Sequence, residues 1–567
     1  MALLDWIVIG IFALALIGVI VWVMRQKQNN AADYFLGGKD ATWIAIGASI
    51  FASNIGSEHL IGLAGSGASS GMAMAHWEIQ GWMILLLGWV FVPFYTRSMV
   101  YTMPEFLEKR FNPQSRTILA TISLISYVLT KVAVTVYAGG LVFQQVFGID
   151  TLWGIDFFWI AAIGLVLITA LYTIFGGMKS VLYTSVLQTP ILLLGSLIIL
   201  VLGLKELGGW DEMMRICSSV KVNDYGDTMV NLIRDNNDPN YPWLGALIGS
   251  AVIGFWYWCT DQFIVQRVLS GKDEKEARRG TIFGAYLKLL PVFLFLIPGM
   301  IAFAIHQNAI AAGGEGFLPM LANGNVNSDA AFPTLVAKLL PAGVKGLIVC
   351  GILAALMSSL ASLFNSSAAL FTIDFYQRYR PNTDPKKLVR IGQAATVVIV
   401  ILGILWIPVM RSVGDVLYLY LQDVQSVLAP GIAAAFLIGI LWKRASAQGG
   451  MWALLSGLII GLTRLGAKVY YSNADMIPGA DSSWFQYIFY DCNWLFFCGW
   501  MLVFCLAVGV IVSLCTKAPD PEKIQGLVFG TSTAEQRAIT RASWNAWDVI
   551  NSIIILGITV AFYVYFW

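Results

Sequence analysis

The sequence predicts an all-α integral membrane protein with about 14 transmembrane helices. Of its 567 residues 58% are hydrophobic and only 12% are charged, and the mean hydropathy is +0.73. A soluble domain usually has about a quarter of its residues charged. An apolar stretch of about 20 residues is long enough to cross the hydrocarbon core of a bilayer. Such stretches lie near residues 3–24, 42–68, 71–95, 117–147, 153–174, 178–204, 243–269, 281–306, 344–375, 389–410, 413–441, 446–468, 494–516 and 545–567.

The basic residues predict the orientation of the chain. If the N-terminus is outside, 24 of the 35 Lys and Arg residues fall in loops on the inside. The positive-inside rule then places both termini outside, in a multi-pass protein of the plasma or inner membrane. The first apolar stretch begins with Asp5 instead of a basic region and lacks an A-x-A cleavage site, so we expect it to remain as an anchored helix. The inner loop 517–544 is polar without a periodic apolar face, which is typical of a tether.

Charge and motifs exclude several classes of partner. The net charge is only +2 and no block of like charges occurs, so nucleic acid is not an expected partner. The sequence has no G-x-x-x-x-G-K-[ST] loop, so ATP is not expected either. The seven cysteines show no zinc-like spacing. Cys217 and Cys492 fall in predicted outer loops, where an oxidising compartment favours a disulfide between them.

The stretch Gly47–Gly67 is too polar for an ordinary span. It contains five glycines together with Asn54, Glu58 and His59. In hydrocarbon such an interrupted helix is tolerated only where it lines a cavity. We therefore predict a broken helix at a binding site.

Further charges fall at predicted membrane depth, namely Glu78, Lys131, Asp261, Lys288 and Asp423. Each costs several kcal/mol unless it is paired or lines water, so the set indicates a pathway for a solute or an ion. For any single residue, an interhelical ion pair is the alternative interpretation.

Small polar residues in the span 344–375 offer a possible cation site. Ala355, Ser358 and Ser359 are spaced i, i+3 and i+4, which puts them on one helix face. A hard cation binds oxygen atoms, and a shell with almost no formal charge suits sodium better than calcium. From the spacing alone, close helix packing is the preferred alternative.

Aromatic residues cluster in the middle of the span 243–269, at Trp256, Tyr257 and Trp258. Aromatic rings pack on the apolar faces of sugars, while carboxylate, ammonium and amide groups bind hydroxyls. A ring beside His59, Glu78, Lys288 and Gln422 would therefore suit a polyol. An interfacial aromatic belt is the alternative, although its residues are expected at the ends of a span.

Several motifs along nearly the whole chain resemble the sodium/solute symporter family, close to its sodium/glucose (galactose) branch. These are DYFLGGK, FASNIGSEHLIGLAGSG, MPEFLEKRF, WYWCTDQFIVQR, YLKLLP, ALMSSLASLFNSSAALFTIDFY and LAPGIAAAFLIGILWKR. The resemblance implies a leucine-transporter-like core of two inverted five-helix repeats. In this chain the repeats would be 42–204 and 243–441. An N-terminal helix and inner loop at 1–41, an outer loop at 205–242 and three C-terminal helices at 442–567 would complete it.

Matched residue by residue, the resemblance also implies the functional positions. The sugar contacts would be Asn54, His59, Glu78, Lys288 and Gln422, with Trp258 beside them and Tyr257 as the inner gate. The sodium ligands would be the carbonyls of Ala52, Ile55 and Ala355 and the hydroxyls of Ser358 and Ser359, which reverses the preference given by spacing alone. The sequence departs from the family pattern at two positions. Ser185 stands where relatives commonly carry Asp, and Gly254 stands where bacterial galactose symporters have Asn.

These observations favour sodium-coupled symport of a hexose by alternating access. The alternative within the class is a symporter of myo-inositol or another polyol. A membrane solute sensor would need an output module after the last span, whereas the sequence ends directly after that span. A membrane-embedded enzyme would need a nucleophile with a base, or metal ligands. The expected partners are sodium, a sugar or polyol, and the lipid bilayer. Glu58 has no assigned role.

Overall fold

The computed structural model describes residues 1–26, 28–56, 58–321, 324–411, 417–473 and 483–567, and this part of the chain is almost entirely helical. Up to residue 219 the α-helices are α1 Leu3–Met24, α2 Ala31–Phe35, α3 Trp43–Asn54, α4 Ala64–Ser70, α5 Ala75–Glu78, α6 Gly81–Leu86, α7 Val92–Ser98, α8 Met103–Arg110, α9 Pro113–Ser126, α10 Ala133–Phe147, α11 Phe157–Leu207 and α12 Trp210–Ser219. A short antiparallel hairpin, β1 Thr151–Leu152 and β2 Ile155–Asp156, precedes α11.

The remaining α-helices lie after residue 242. They are α13 Trp243–Gly254, α14 Gln262–Leu269, α15 Glu274–Lys288, α16 Ile297–Ala311, α17 Ala331–Leu339, α18 Val344–Ala369, α19 Gln377–Tyr379, α20 Pro385–Arg411, α21 Leu417–Leu441, α22 Ala447–Asn473, α23 Trp484–Gln486, α24 Trp494–Cys515, α25 Pro521–Ile524, α26 Ala534–Ala542 and α27 Ala546–Tyr565. Wider π-helical turns join several of them, at Glu58–Leu63, Leu87–Phe91, Tyr127–Val132, Phe255–Thr260, Val292–Leu296, Leu370–Tyr376 and Tyr487–Asp491.

Eleven helical stretches of the described residues are long and apolar enough to cross a membrane. The number of 14 spans therefore stays a prediction. One difference has a clear cause: the predicted spans 153–174 and 178–204 form the single 51-residue stretch α11, which is kinked at Gly177. Gly177 has φ 54° and lies so close to the carbonyl of Tyr34 that a side chain would overlap it.

The predicted break in the Gly47–Gly67 stretch is present. Helix α3 ends at Asn54, and Ile55 is extended with φ −79° and ψ 104°. The chain then continues through a π-helical turn into α4. A Cβ atom on Gly67 would overlap the carbonyl of Leu296, so glycine lets α4 approach its neighbour closely. Some glycines of this stretch therefore allow close helix packing, and others lie where the helix is interrupted.

Helix α18 lies at the centre of the bundle and packs against α3 and α11. Its side chains are buried along most of its length, whereas α1 and α27 expose most of theirs, as expected for helices that face lipid. Asp5 at the start of α1 accepts hydrogen bonds from the backbone N–H groups of Gly343 and Gly346, at 2.7 and 2.8 Å. The first helix therefore caps the N-terminus of the central one.

The loop 517–544 is not a tether, contrary to the sequence-based expectation. Lys523 donates a hydrogen bond to the Phe111 carbonyl at 2.6 Å, and the Phe529 N–H donates to the Ile440 carbonyl at 2.7 Å. Near its middle, Ser532 accepts a hydrogen bond from Arg97 at 2.8 Å. These contacts could not be predicted from the sequence, because they are hydrogen bonds to helix ends and do not require a periodic apolar face.

The predicted disulfide is contradicted, because Cys217 and Cys492 are both free thiols. Cys217 is completely buried within the packed side of α12, and burial raises the pKa of its thiol to about 12. The sulfur of Cys492 instead lies 3.6 Å from the Asn493 carbonyl, next to the start of α24. A thiol that stays protonated does not initiate disulfide exchange.

Candidate functional site

One pocket lies where the broken helix meets α5 and the ends of α13 and α15. Five of the predicted contact residues and the predicted gate line it, together with residues that the sequence did not indicate. Its lining consists of Asn54, Glu58, His59, Trp77, Glu78, Gln80, Ile253, Gly254, Tyr257, Trp258, Lys288 and Gln425. The side chain of Gln422 lies outside the described residues, as does that of Asp423.

The polar side chains of the pocket come from places where helices end. Asn54 is the last residue of α3, Glu78 the last of α5 and Lys288 the last of α15. Tyr257 and Trp258 lie in the π-helical turn that follows α13. Helix ends and π-turns leave backbone groups without regular partners, which is tolerated at membrane depth only beside a cavity.

Glu78 and Lys288 form an ion pair in the pocket wall. Their Oε2 and Nζ atoms are 2.6 Å apart, and both residues are only 2–3% exposed. Lys288 also donates to Asn54 Oδ1 at 3.1 Å, and its ammonium lies 5.3 Å from the ring centre of Trp258. The pair keeps both residues charged in a region where a single charge would be very unfavourable.

His59 offers unused hydrogen-bonding capacity next to this pair. Its Nε2 atom is 3.3 Å from Glu78 Oε2, yet the angle is not that of a hydrogen bond. Neither ring nitrogen has a hydrogen-bond partner among the residues that the structure describes, although the side chain is only 3% exposed. Buried polar groups are normally hydrogen-bonded, so an imidazole of this kind at a pocket wall indicates a polar ligand.

Tyr257, which lines the pocket, also lies against a buried charged group. Its hydroxyl accepts a hydrogen bond from Asn54 Nδ2 at 3.2 Å. The ammonium of Lys131 lies 4.8 Å from the centre of the Tyr257 ring and 2.7 Å from Asp261. Tyr127 donates to the same Asp261 carboxylate. Two of the charges predicted at membrane depth are thus an interhelical ion pair, the alternative considered for single residues.

The sequence reasoning missed Gln80. Its Nε2 donates to the Ser250 carbonyl at 2.8 Å, and its Oε1 accepts from the indole N–H of Trp258 at 3.3 Å. A Cβ atom on Gly254 would overlap the Gln80 amide. Gln80 therefore occupies the space left by the missing side chain at Gly254. The only signal in the sequence is a polar residue two positions after Glu78 inside an apolar span.

A second group of polar atoms lies between the end of α3 and the middle of α18. The Ser359 hydroxyl is within hydrogen-bond distance of the Ser53 and Ile55 carbonyls, at 2.9 and 3.2 Å. The hydroxyls of Ser358 and Ser185 are 3.2 Å apart. The structure thus brings the two serines and Ile55 of the predicted sodium site together.

The two remaining members of that predicted set, Ala52 and Ala355, are buried in helices that pack against each other. The carbonyl seen next to Ser359 is that of Ser53, one residue from Ala52. All described atoms of this group are neutral oxygens, which fits a monovalent hard cation. Ser185 adds a further hydroxyl to this group through its contact with Ser358.

Comparison with known proteins gives matches over most of the chain. Residues 34–457 match the model of the sodium:solute symporter family. The chain is 39% identical over 475 residues to the human sodium/myo-inositol cotransporter 2, covering 81% of this chain and 69% of the relative. It is 35% identical over 569 residues to the sodium/myo-inositol cotransporter of Bos taurus, covering 94% of this chain and 78% of the relative.

Solved structures show the same fold. A substrate-bound, outward-open sodium-coupled sialic acid symporter superimposes with a TM-score of 0.72 at 22% identity, covering 92% of this chain and 99% of the other. The structure of MhsT in complex with L-phenylalanine gives a TM-score of 0.50 at 15% identity, covering 84% and 98%. The predicted fold class, an all-α membrane protein with a leucine-transporter-like core, is confirmed. The boundaries of its two repeats stay predictions.

Proposed function

Because the chain belongs to the sodium:solute symporter family, we propose that it carries a cyclic polyol, myo-inositol first, together with sodium by alternating access. The relatives named above are sodium/myo-inositol cotransporters. The pocket supports a polyol because it combines an aromatic face with groups that bind hydroxyls. A hexose, the first expectation from the sequence, becomes the second candidate.

The observation that carries this proposal is the buried imidazole of His59 beside the Glu78–Lys288 pair. Its ring nitrogens have no hydrogen-bond partner in the described structure. A hydroxyl is both a donor and an acceptor, so a polyol hydroxyl can pair with the ring nitrogen of His59 that it meets in either tautomer. Neighbouring hydroxyls then reach Glu78 and Lys288, and Trp258 covers the apolar face of the ring. An anionic or apolar solute would leave some of these groups without partners.

In this proposal sodium binds between α3 and α18, where Ser358 and Ser359 meet the end of α3. Binding there fixes Ile55 and therefore the adjacent Asn54, which contacts Lys288 in the pocket. Sodium and substrate thus raise each other's affinity by the same factor. With both termini outside, as proposed from the basic loops, an inward sodium gradient drives accumulation. The membrane potential adds about 2.3 kcal/mol per charge for each 100 mV.

Uptake into proteoliposomes tests the function. The panel contains radiolabelled myo-inositol, glucose, galactose and the acyclic polyol mannitol. Each solute is measured with an inward sodium gradient, with potassium in place of sodium, and with a proton gradient alone. We expect sodium-dependent uptake in which myo-inositol exceeds the hexoses and mannitol is not carried. Faster uptake of glucose or galactose would favour the hexose assignment, and uptake that ignores sodium would refute symport.

A further inference from the structure

Glu58 lies between the substrate pocket and the serines of α18. Its side chain lines the pocket. On its other side, a Cβ atom placed on Gly56 would lie 2.5 Å from Glu58 Oε2 and 3.0 Å from Ser359 Oγ. The carboxylate and the serine hydroxyl therefore flank the same small space. Gly56 is the residue that leaves this space open.

The oxygens around this space form a set that a hard cation prefers. The Ser359 hydroxyl already contacts the carbonyls of Ser53 and Ile55. Adding Glu58 gives a carboxylate to a group of carbonyl and hydroxyl oxygens. The site then carries one formal negative charge, in contrast to the nearly neutral shell expected from the sequence.

Glu58 and Lys288 line the same pocket. Lys288 already has another carboxylate in direct contact, that of Glu78 at 2.6 Å. An attraction between Glu58 and Lys288 is therefore additional to an existing ion pair, and it changes when the charge of Glu58 is compensated.

We propose that Glu58 is the residue that couples the two sites, with its carboxylate facing the bound sodium ion. The proposal rests on the function proposed above. Without sodium, the carboxylate attracts the Lys288 ammonium and competes with substrate hydroxyls for it. With sodium bound, the charge of Glu58 is compensated by the ion. Lys288 and Glu78 are then available to the substrate, so sodium raises substrate affinity.

Three variants test this role in purified full-length protein. Glu58→Gln keeps the shape and removes the charge, and Glu58→Asp keeps the charge. Glu535→Gln is the matched control, because it removes one carboxylate from an exposed position on α26. Sodium binding is measured first without substrate, as thermal stabilisation by sodium chloride against choline chloride at constant ionic strength. Myo-inositol binding is then measured in both salts.

We expect Glu58→Gln to weaken sodium binding by about tenfold and to remove most of the gain in substrate affinity that sodium produces. Glu58→Asp should retain a measurable part of both effects, and Glu535→Gln should match the wild type. A merely structural role would lower stability without changing the ratio of the substrate dissociation constants in the two salts. Wild-type sodium affinity and wild-type coupling in Glu58→Gln would overturn the proposal.

Two further comparisons keep the test decisive. If Glu58→Gln does not yield folded protein, Gly56→Ala is used to test sodium binding instead, because its methyl group fills the space between the Glu58 carboxylate and Ser359. This variant should also lose sodium binding. If wild type binds sodium but not myo-inositol, the substrate assignment fails. Sodium binding by Glu58→Gln then still tests whether Glu58 contributes to the cation site. If wild type does not respond to sodium, both proposals fail.

Discussion

The proposed substrate pocket and the proposed cation site adjoin each other at the broken helix, yet they are built from different chemistry. The pocket holds a buried ion pair, Glu78 with Lys288, beside the His59 imidazole, which has no hydrogen-bond partner among the described residues. In the cation site the Ser359 hydroxyl contacts backbone carbonyls, and the single charge we propose there is that of Glu58. The pocket therefore depends on exact pairing of charges, whereas the cation site can rearrange its bonds at low cost.

This contrast predicts different consequences of mutation. Removing one member of a buried ion pair leaves an uncompensated charge, which destabilises a protein by about 3–5 kcal/mol. Removing a neutral hydroxyl from a set that can rearrange costs only about 1 kcal/mol. Damage in the pocket should therefore appear in both stability and transport. Damage in the cation site should appear mainly in sodium dependence.

The largest effect is expected for Lys288→Met. This change leaves Glu78, which is only 2% exposed, without its ammonium partner and with the His59 imidazole at 3.3 Å as its remaining neighbour. We expect a loss of about 3 kcal/mol or more in stability and no measurable uptake of myo-inositol. The measurement is thermal unfolding in detergent together with uptake into proteoliposomes.

The double variant Glu78→Gln with Lys288→Met is the control for that prediction. It removes both charges, so most of the lost stability should return while uptake stays absent. Equal stability of wild type and Lys288→Met would show that the pair is not a stabilising feature. The proposed division between the two sites would then be wrong.

The next effect in size is expected for Ser359→Ala in the cation site. The hydroxyl lies next to the Ser53 and Ile55 carbonyls, so its loss removes one oxygen from the proposed sodium shell. We expect the sodium concentration for half-maximal uptake to rise about tenfold, with little change in stability. Sodium titration of uptake measures this.

Ser367→Ala is a suitable control for the cation site, because Ser367 is buried on the same helix two turns further along. Its variant should titrate with sodium as the wild type does. If Ser359→Ala keeps the wild-type sodium dependence, the oxygen group between α3 and α18 is a packing contact. That was the preferred interpretation from spacing alone.

The charged residues of the pocket could be predicted from sequence because a charge in an apolar span is energetically costly and therefore occurs mainly at binding sites and pathways. The same reasoning found the broken helix. It missed Gln80 because its position depends on a gap at Gly254, a contact between residues far apart in the chain. It also missed the packing of 517–544, since hydrogen bonds to distant helix ends leave no periodic pattern in the sequence.

A smaller effect is expected for Gln80→Ala. Gln80 fixes the indole of Trp258 and carries an amide in the pocket. Its loss should raise the KM for myo-inositol severalfold, about 1 kcal/mol, with sodium dependence unchanged. Gly254→Ala should have a similar effect because the added methyl group displaces the Gln80 amide. Kinetics with myo-inositol and glucose side by side will show whether the two variants shift preference together.

The smallest effect concerns pH and α4, the second half of the broken helix. Asp329 packs against Gly65 of α4, and burial raises the pKa of its carboxyl to about 7. The folded protein therefore binds this proton more tightly than the unfolded chain does, so the contribution of Asp329 to stability grows as pH falls below 7 and is absent above it. Asp329→Asn should be more stable than wild type at pH 8, and the difference should shrink as pH falls below 7 and vanish only below about pH 4, where the carboxyl is protonated in the folded and the unfolded state. Thermal unfolding from pH 4 to pH 8 measures this, and parallel curves for the two proteins would show that Asp329 does not titrate in that range. Because Asp329 touches neither the Glu78–Lys288 pair nor Ser359, a change in its charge should leave the sodium titration of uptake where it is.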